Sequence, residues 1–304
     1  MKIERKNDIN LRLLEIFGTV MRSQTTVDAA YELGISQPAV SGGIKQLEGQ
    51  LGFPLFDRIN RRLQPTEDAH LLYKEVEPIF MMIRSAESRI RSLRSGNAGI
   101  LRILGTPPLG FSLVPHALRH LLLNRRGVKV HFDVVGLNRV LQAVELGVAD
   151  VGLALGLDEH PAVNVEKIKH GNMMCLVPRG HPLYGMPTIR VEHVRQYGYI
   201  GLNIESTLGL LLAYAFRQCG VNYEPDVEVR YTNSAAMLSQ AGVGMAIVDS
   251  VTALHQEWKD VAIVPFEIAV PVSICIVTRK QVSQNRLVVD FIDQVKHVIE
   301  QEIR

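Results

Sequence analysis

The side chains best suited to reading a nucleic acid lie four residues apart in one stretch of the chain. Gln37, Ser41 and Lys45 would share one face of a helix, because residues i and i+4 are neighbours on a helix surface. All three carry short or flexible hydrogen-bonding groups. The major groove of DNA admits one helix, and polar side chains near the N-terminus of that helix reach the base edges. The spacing therefore favours a base-reading helix.

The surrounding sequence predicts two short helices joined by a tight turn, between Thr25 and Leu51. Gly34 is typical of the position just past a helix C-terminus, and Ser36 is a favourable N-cap for the next helix. Pro38 falls in the first turn, where its missing N–H removes no hydrogen bond. The buried stripe of the second helix repeats every three or four residues: Val40, Ile44, Leu47 and Leu51. This is the pattern of a helix-turn-helix, although a helical hairpin that touches no DNA has the same periodicity.

A basic turn follows the second helix. Arg58, Arg61 and Arg62 lie in or beside two short extended pieces, an arrangement typical of a wing. Their guanidinium groups would contact phosphates or an adjacent minor groove. A solvated loop can have the same composition, but its position beside a helix-turn-helix favours DNA. Residues 1–66 hold nine Lys and Arg against seven Asp and Glu, so binding would depend on local clusters rather than on bulk charge. The candidate DNA contacts are Thr26, Ser36, Gln37, Pro38, Ser41, Lys45, Arg58, Arg61 and Arg62.

The pattern SQPAVS…IKQLE…LG..LF.R.....PT..A, between Leu11 and Ala69, resembles the N-terminal signature of the LysR-type transcriptional regulators. The resemblance implies a winged helix-turn-helix, a long linker helix and a C-terminal α/β effector domain of two subdomains, similar to periplasmic binding proteins. Val27 departs from the Thr that is usual in the family; Thr25 or Thr26 offers a substitute cap, with Asp28 placed as a capping-box-like partner of Thr25. Gly42 and Gly43 replace larger polar residues, at a cost of roughly 1 kcal/mol each against Ala.

A heptad-like seam runs along the helix predicted from Glu67 to Ser95. Spacings of alternating four and three residues are typical of a coiled coil with a second copy, although a helix packed on its own domain is the alternative. Pro78 predicts a bend near Lys74 rather than a break. The resemblance implies that this helix builds a dimer, which assembles further into a tetramer. The candidate dimerisation residues are Leu72, Val76, Ile79, Ile83, Ile90 and Leu93.

Beyond a Gly-containing hinge at 96–99, strands alternate with helices, which predicts a parallel sheet with right-handed crossovers. The predicted domains are 1–66 for the DNA-binding domain, 67–95 for the linker helix and 100–304 for the effector domain. The resemblance implies that the effector domain divides into 100–169 with 267–304, and an inserted second subdomain at 170–266. Crossings between the two would fall near His170 and Phe266.

Two loops offer hydroxyls and backbone N–H groups beyond the ends of predicted strands, where open α/β sheets bind ligands. One follows the first strand at Thr106, and the other opens a helix at Ser206 and Thr207. Both suit a carboxylate, although helix capping is the simpler role for such residues. Glu205 could pair with an amino or guanidino group, or be plain surface. Residues 244–249 resemble the equivalent stretch of family members that sense basic amino acids and opines. The candidate effector-binding residues are Thr106, Pro107, Gly136, Asn203, Ser206, Thr207, Thr232 and Met245.

The sequence lacks the motifs of the common enzyme classes: GxSxG, a P-loop, GxGxxG and HExxH. Cys175, Cys219 and Cys275 are far apart, without metal-binding spacing. We interpret them as reduced core residues, with redox sensing as the alternative. The charged N-terminus and the lack of an 18-residue apolar run predict no signal peptide, no membrane span and a cytoplasmic location.

The sequence therefore predicts a DNA-binding regulator without catalytic activity, metal or cofactor. A metabolic enzyme and a solute-binding protein on the α/β domain are the rival classes. The expected partners are double-stranded promoter or operator DNA, a small effector such as an amino acid or another small carboxylate, further copies of the chain as dimer and tetramer, and RNA polymerase.

Overall fold

The computed structural model describes residues 10–23, 25–59, 62–95, 99–125 and 127–302. The chain forms two compact units, one ending at Arg89 and the other beginning at Ile90. We refer to them as the head unit and the C-terminal unit. Among the described residues, no helix combines the length and the apolar character that a membrane span requires.

The head unit is a winged helix-turn-helix followed by a long helix. Phe17 is fully buried at its centre, and its ring meets the edges of Phe56 and Tyr73 at centroid distances of 6.0 Å and 6.4 Å. Such edge-to-face contacts stabilise a small core beyond the burial of area. The elements are α1 (Leu11–Ser23), α2 (Thr26–Leu33), α3 (Gln37–Leu51), β1 (Phe56–Ile59), β2 (Arg62–Pro65) and α4 (Glu67–Ser95).

The predicted helix caps are confirmed. Thr25 is the N-cap of α2, and its hydroxyl accepts a hydrogen bond from Asp28 N at 3.1 Å and donates one to the Asp28 carboxylate at 2.5 Å. Gly34 ends α2 with a φ of 64°, a conformation that only Gly adopts without strain. Ser36 caps α3 through a hydrogen bond from Ala39 N at 3.4 Å.

The two adjacent glycines of α3 have different roles. A Cβ on Gly43 would lie 2.7 Å from Ile16 Cδ1, so the missing side chain lets α3 approach α1. A Cβ on Gly42 would meet nothing within 4 Å. Gly42 is exposed, so packing within the head unit does not require glycine at this position.

Gly42→Ala is expected to raise the free energy of unfolding of the head by about 0.5–1 kcal/mol, because Ala loses less backbone entropy than Gly in a helix. Gly43→Leu is expected to lower it by roughly 1–3 kcal/mol through overpacking. Urea unfolding followed by circular dichroism measures both. A Gly42→Ala variant no more stable than wild type would mean that Gly42 is strained in α3.

The seam of α4 stays a prediction, but the single chain already covers two of its residues in part. Leu72 is half-buried and packs against the buried core of the head, and Val76 is 4% exposed. Both therefore offer less free surface to a second copy than the exposed residues of the seam. Ile79 and Ile90 are 39% and 56% exposed, and Ile83 is half-buried. The side chain of Leu93 lies outside the described residues.

The helix α4 continues through Pro78, so the predicted absence of a break is confirmed. The bend near Lys74 stays a prediction. Of the predicted hinge, residues 96–98 lie outside the part of the chain that the structure describes.

The C-terminal unit contains two five-stranded sheets with helices packed on them. Its first part comprises β3 (Ile100–Gly105), α5 (Pro107–Asn124), β4 (Lys129–Val134), α6 (Leu137–Glu145), β5 (Val151–Leu155) and β6 (Val163–Gly171). Its middle part comprises β7 (Met173–Pro178), α7 (Val191–Tyr197), β8 (Ile200–Leu202), α8 (Thr207–Gln218), β9 (Val227–Val229), α9 (Thr232–Gln240), β10 (Ala246–Asp249), α10 (Ser250–Leu254) and β11 (Val261–Pro265). Its last part comprises β12 (Val272–Arg279) and α11 (Arg286–Glu302).

The first sheet has the order β4-β3-β5-β12-β6 and the second β11-β7-β10-β8-β9. The prediction of a parallel sheet is right for β3, β4 and β5 but wrong for the complete sheets. The strand β12 runs antiparallel to β5 and β6, and β7 runs antiparallel to β10 and β11. The chain leaves the first sheet after Gly171 and re-enters it at Val272. This supports the predicted subdomain limits, which remain a proposal.

Several elements have no clear sequence signal. The edge strand β6 has the sequence VNVEKIKHG, in which charged and polar residues interrupt the apolar ones, so it lacks an apolar run. The helix α9 has the sequence TNSAAMLSQ, whose polar start is typical of a loop. The helix α5 begins at Pro107 and has two prolines in its first turn, where a missing N–H removes no helix hydrogen bond.

Candidate nucleic-acid interface and ligand cavity

A hydrogen-bonded row connects α2 with the exposed side of α3. The Gln37 amide Nε2 donates hydrogen bonds to Thr26 Oγ1 and to Ser41 Oγ, each at 3.1 Å. Gln37, Pro38 and Lys45 are exposed, and Thr26 and Ser41 are half-buried. The row orients the Gln37 side chain before any partner binds, which lowers the entropy lost on contact.

A carboxylate on α3 fixes the start of the wing, and the sequence reading missed it. Glu48 Oε1 accepts hydrogen bonds from Leu55 N at 2.8 Å and from Phe56 N at 3.2 Å. Thr66 lies at the end of the wing. Its hydroxyl lies within hydrogen-bond distance of the carbonyl oxygens of Pro54 and Leu55, and it accepts a hydrogen bond from Ala69 N at 3.1 Å. The Glu48 side chain therefore anchors the start of the wing to α3, and the Thr66 hydroxyl ties the end of the wing to its start.

The structure describes the backbone of two of the three wing arginines. Arg58 and Arg62 lie on β1 and β2, in the registers Arg58↔Leu63 and Ile59↔Arg62. The side chains of Arg58 and Arg62, and the whole of Arg61, lie outside the described residues. Their contacts with DNA stay predictions.

Four helices of the C-terminal unit begin at one cavity of about 310 Å³. They are α5, α6, α8 and α9. Each N-terminus presents backbone N–H groups without intrahelical partners and carries partial positive charge. The cavity is therefore suited to negatively charged groups. Of the predicted effector-binding residues, six line it: Thr106, Pro107, Gly136, Ser206, Thr207 and Thr232.

The hydroxyls at the cavity differ in what they can offer a ligand. Ser206 Oγ accepts a hydrogen bond from Gly209 N at 3.0 Å and donates one to Asn203 O at 2.7 Å, so capping uses it fully. Thr232 Oγ1 donates to Asp249 Oδ2 at 2.6 Å. Thr106 Oγ1 is buried, and no partner for it is found among the described residues. A buried unpaired hydroxyl is costly, and a ligand in the cavity would pair it.

Three charged side chains also line the cavity: Arg139, Glu205 and Arg230. All three are exposed. The Arg230 guanidinium lies 5.9 Å from the ring centroid of Tyr231, a cation–π distance. Sequence reading missed both arginines and Tyr231. Arg230 and Tyr231 lie between the end of β9 and the start of α9, and this position after a strand is the signal that could have identified them.

Two predicted effector residues do not line the cavity. Asn203 Nδ2 donates to Glu228 Oε1 at 2.8 Å, and Asn203 Oδ1 accepts from Glu205 N at 2.7 Å. Asn203 therefore shapes the loop that carries Glu205 and Ser206. Met245 is fully buried in the hydrophobic core.

The cysteines are only partly core residues. Cys175 and Cys275 are buried, and burial raises the pKa of both thiols above the ordinary range, which disfavours the reactive thiolate. Cys219 is exposed, which contradicts the core prediction for that residue because it caps α8 at the surface. Within the described ranges, no group of three or more His, Cys, Asp or Glu residues could hold a metal ion.

Comparisons with known proteins match both units. Residues 11–70 match the model for the bacterial regulatory helix-turn-helix protein, lysR family, and residues 94–300 match the model for the LysR substrate binding domain. Regulatory protein NocR of Agrobacterium fabrum is 30% identical over 283 residues, covering 93% of this chain and 94% of the relative. The octopine catabolism/uptake operon regulatory protein OccR of Rhizobium meliloti is 29% identical, covering 86% of each chain.

Solved structures share the fold along nearly the whole chain. The structure of CbnR, a LysR family transcriptional regulator, matches with a TM-score of 0.72 at 20% identity, covering 95% of this chain and 99% of that one. The structure of full-length CbnR with its target DNA matches with a TM-score of 0.69 at 21% identity, over the same shares of the two chains.

Proposed function

This chain belongs to the LysR family of DNA-binding transcriptional regulators, and from that premise we propose how it reads DNA and what switches it. It is a regulator with a substrate-binding effector domain and not an enzyme. The observation that carries our proposal is the unpaired Thr106 hydroxyl at a cavity framed by helix N-termini.

The exposed row of α3 reads the operator. Gln37 contacts a base edge, with Thr26 and Ser41 holding its amide in place, and Lys45 and the wing arginines contact phosphates. Ser36 and Pro38 are exposed at the start of α3. There the Ser36 hydroxyl and the backbone N–H groups meet the DNA backbone, and Pro38, which has no N–H, contributes apolar contact with the sugars. The pre-formed hydrogen bonds of Gln37 support this division of roles.

The cavity binds a small effector by its carboxylate. The hydroxyl of Thr106 and the N–H groups at the starts of α6, α8 and α9 receive the anion, and Arg139 and Arg230 lie at the same cavity. Glu205 pairs with a cationic group of the effector. The cavity volume of about 310 Å³ lies at the small end of the ligand-pocket range, suited to one amino acid or a derivative.

Amino acids and opines are the first effectors to consider. OccR, by its name, regulates octopine catabolism and uptake, and an opine carries both carboxylate and basic groups. The combination of Glu205 with two arginines at one cavity supports such a ligand. A plain dicarboxylate would leave Glu205 without a role in binding.

The effector acts by biasing two conformations. A ligand in the cavity closes the cleft between the two subdomains, provided that it binds the closed state more tightly. In a dimer or tetramer, closure shifts the spacing of the head units, and with it DNA bending and contact with RNA polymerase. Binding to chromosomal promoters places the protein in the cytoplasm.

The dimer forms through the exposed side of α4. Ile79→Asp combined with Ile90→Asp is expected to raise the dissociation constant of the dimer at least about 100-fold, because two charges would be buried against apolar surface. Sedimentation velocity on the full chain measures this. His70→Asp, an exposed change on the same helix, is the control and should leave the dimer intact. A double variant that sediments as wild type would exclude this side of α4.

Thermal shift of the full chain against opines, basic amino acids and small dicarboxylates tests the effector proposal. We expect stabilisation by compounds with both a carboxylate and a basic group, since a ligand that binds only the folded state raises its stability. Glu205→Gln should reduce the preference for the basic group. Stabilisation confined to uncharged compounds would overturn the proposal.

A further inference from the structure

A buried carboxylate lies directly behind the ligand cavity. Asp249, at the end of β10, is 1% exposed, and its Oδ2 accepts hydrogen bonds from Thr232 Oγ1 at 2.6 Å and Thr252 Oγ1 at 2.8 Å. The two hydroxyl oxygens lie 3.0 Å apart. We refer to Thr232, Asp249 and Thr252 as the Asp249 bridge.

The bridge connects a wall of the cavity to a separate helix. Thr232 is the first residue of α9 and lines the cavity. Asp249 is the N-cap of α10, and its Oδ1 accepts a hydrogen bond from Thr252 N at 2.8 Å. A shift of the α9 N-terminus therefore changes the hydrogen bonds that hold the first turn of α10.

The buried Asp249 carboxylate depends on the hydroxyls of the bridge, because few other groups stabilise its charge. In the described part of the chain, the ion pairs found do not include Asp249. Burial raises the pKa of Asp249, and the hydrogen bonds from Thr232 and Thr252 act in the opposite direction. Buried networks of this kind resist partial disruption, since an unpaired member is costly.

The helix α10 also packs near a second helix that begins at the cavity, and it carries its own reporter. The ring of His255, just after α10, meets the ring of His116 on α5 at a centroid distance of 6.1 Å. The helix α5 begins beside Thr106, which also lines the cavity. Trp258 Nε1 donates to Ala253 O of α10 at 2.9 Å, and Trp258 is the single tryptophan of the sequence.

We propose that the Asp249 bridge transmits occupancy of the cavity to α10, with Asp249 as the positioning residue that acts through Thr232. This rests on the proposed anion-binding function of the cavity. Occupancy draws the N–H groups of α9 toward the anion, the bridge adjusts, and α10 moves relative to Trp258 and α5. The emission of Trp258 therefore reports on a cavity that it does not line.

The experiment uses the full chain and inorganic sulfate as the probe, titrated against chloride at constant ionic strength. Calorimetry measures binding, and Trp258 emission measures the response of α10. We expect a saturable emission change in the wild type, with the same half-saturation as the calorimetric binding. Thr106→Val should shift both signals to at least about tenfold higher sulfate concentration, which locates the sulfate in the cavity.

Variants of the bridge separate binding from response. Thr252→Val does not alter the cavity lining, so sulfate should bind within about twofold of wild type while the emission change falls at least about fivefold. Thr252→Ser, which keeps the hydroxyl, should restore the response. Ser239→Ala is the matched control, because Ser239 is an equally buried residue of α9 whose hydroxyl donates to Leu176 O at 3.0 Å, outside the bridge.

The outcomes distinguish failure of the bridge from failure of the anion-binding cavity. If sulfate binds and Thr252→Val leaves the Trp258 response unchanged, the bridge is overturned and the cavity is retained. The same holds if sulfate binds the wild type without any change in Trp258 emission. An equal loss of response in Ser239→Ala would assign the effect to general loosening of α9 and overturn it too. If sulfate does not bind the wild type, both the anion-binding cavity and the bridge fail.

Discussion

Gln37→Ala is expected to weaken binding to an operator fragment, selected from random duplexes by the wild type, by about 1–3 kcal/mol. The amide is held by Thr26 and Ser41 at 3.1 Å each, so its loss removes a base contact whose orientation was already set. Fluorescence anisotropy at fixed salt measures the change, because protein–DNA affinities depend steeply on salt.

Gln50→Ala is the matched control. Gln50 is exposed near the C-terminal end of the same helix, away from the end that reaches base edges. Gln50→Ala should leave operator affinity unchanged, and Gln37→Ala should leave binding to unrelated duplexes nearly unchanged. Equal losses on operator and unrelated DNA would make Gln37 a phosphate contact, and no loss on the operator would remove it from the interface.

Thr106→Val is expected to weaken effector binding by roughly 1.5–3 kcal/mol, the value of a hydrogen bond to a charged group. The substitution keeps the shape of the side chain and removes the hydroxyl that is buried without a partner. Calorimetry with the ligand found by thermal shift measures the loss. The free protein should be no less stable than wild type, because the hydroxyl makes no bond in it.

Ser206→Ala separates ligand binding from capping. Its hydroxyl is fully engaged at the start of α8, so we expect a loss of about 0.5–2 kcal/mol in the free energy of unfolding with a much smaller change in ligand affinity. If Ser206→Ala abolished binding while Thr106→Val did not, the anion would be held by the α8 loop instead.

The head unit could be predicted almost completely from sequence, because its signals are local. Gly34, Ser36 and the stripe of α3 each determine a turn or a helix within a few residues of themselves. The need for glycine at position 43 could not be predicted, since it depends on close packing against Ile16 of another helix. The same limit applies to Glu48, which acts on the wing seven residues further along.

The C-terminal unit was predicted less well, because its topology depends on distant pairings. The antiparallel placement of β12 beside β5 and β6 joins segments more than one hundred residues apart. The loops at Thr106 and Ser206 can be identified from sequence, because they lie beyond the ends of predicted strands and offer hydroxyls and backbone N–H groups. Which hydroxyl is free depends on tertiary contacts, and a one-dimensional pattern cannot separate Thr106 from Ser206.

The seam of α4 shows how two surfaces can share one periodicity. Leu72 and Val76 satisfy the heptad pattern but face the core of their own head or are buried in the single chain, whereas Ile79 and Ile90 remain exposed. A helix that covers its own domain at one end and pairs with a partner at the other presents both stripes in one continuous repeat.

The central claim is that ligand in the cavity controls how the protein holds DNA, and the bend angle of operator DNA tests it most directly. Energy transfer between labels on the two DNA ends measures this angle with the full chain bound. The ligand identified by thermal shift is then titrated into the complex. We predict a saturable change whose half-saturation equals the calorimetric dissociation constant. In Thr106→Val the half-saturation should move to higher ligand concentration, by the same factor as the dissociation constant. Ligand that binds the Thr106 cavity tightly while both the bend and the operator affinity remain constant would contradict control of the DNA by this cavity.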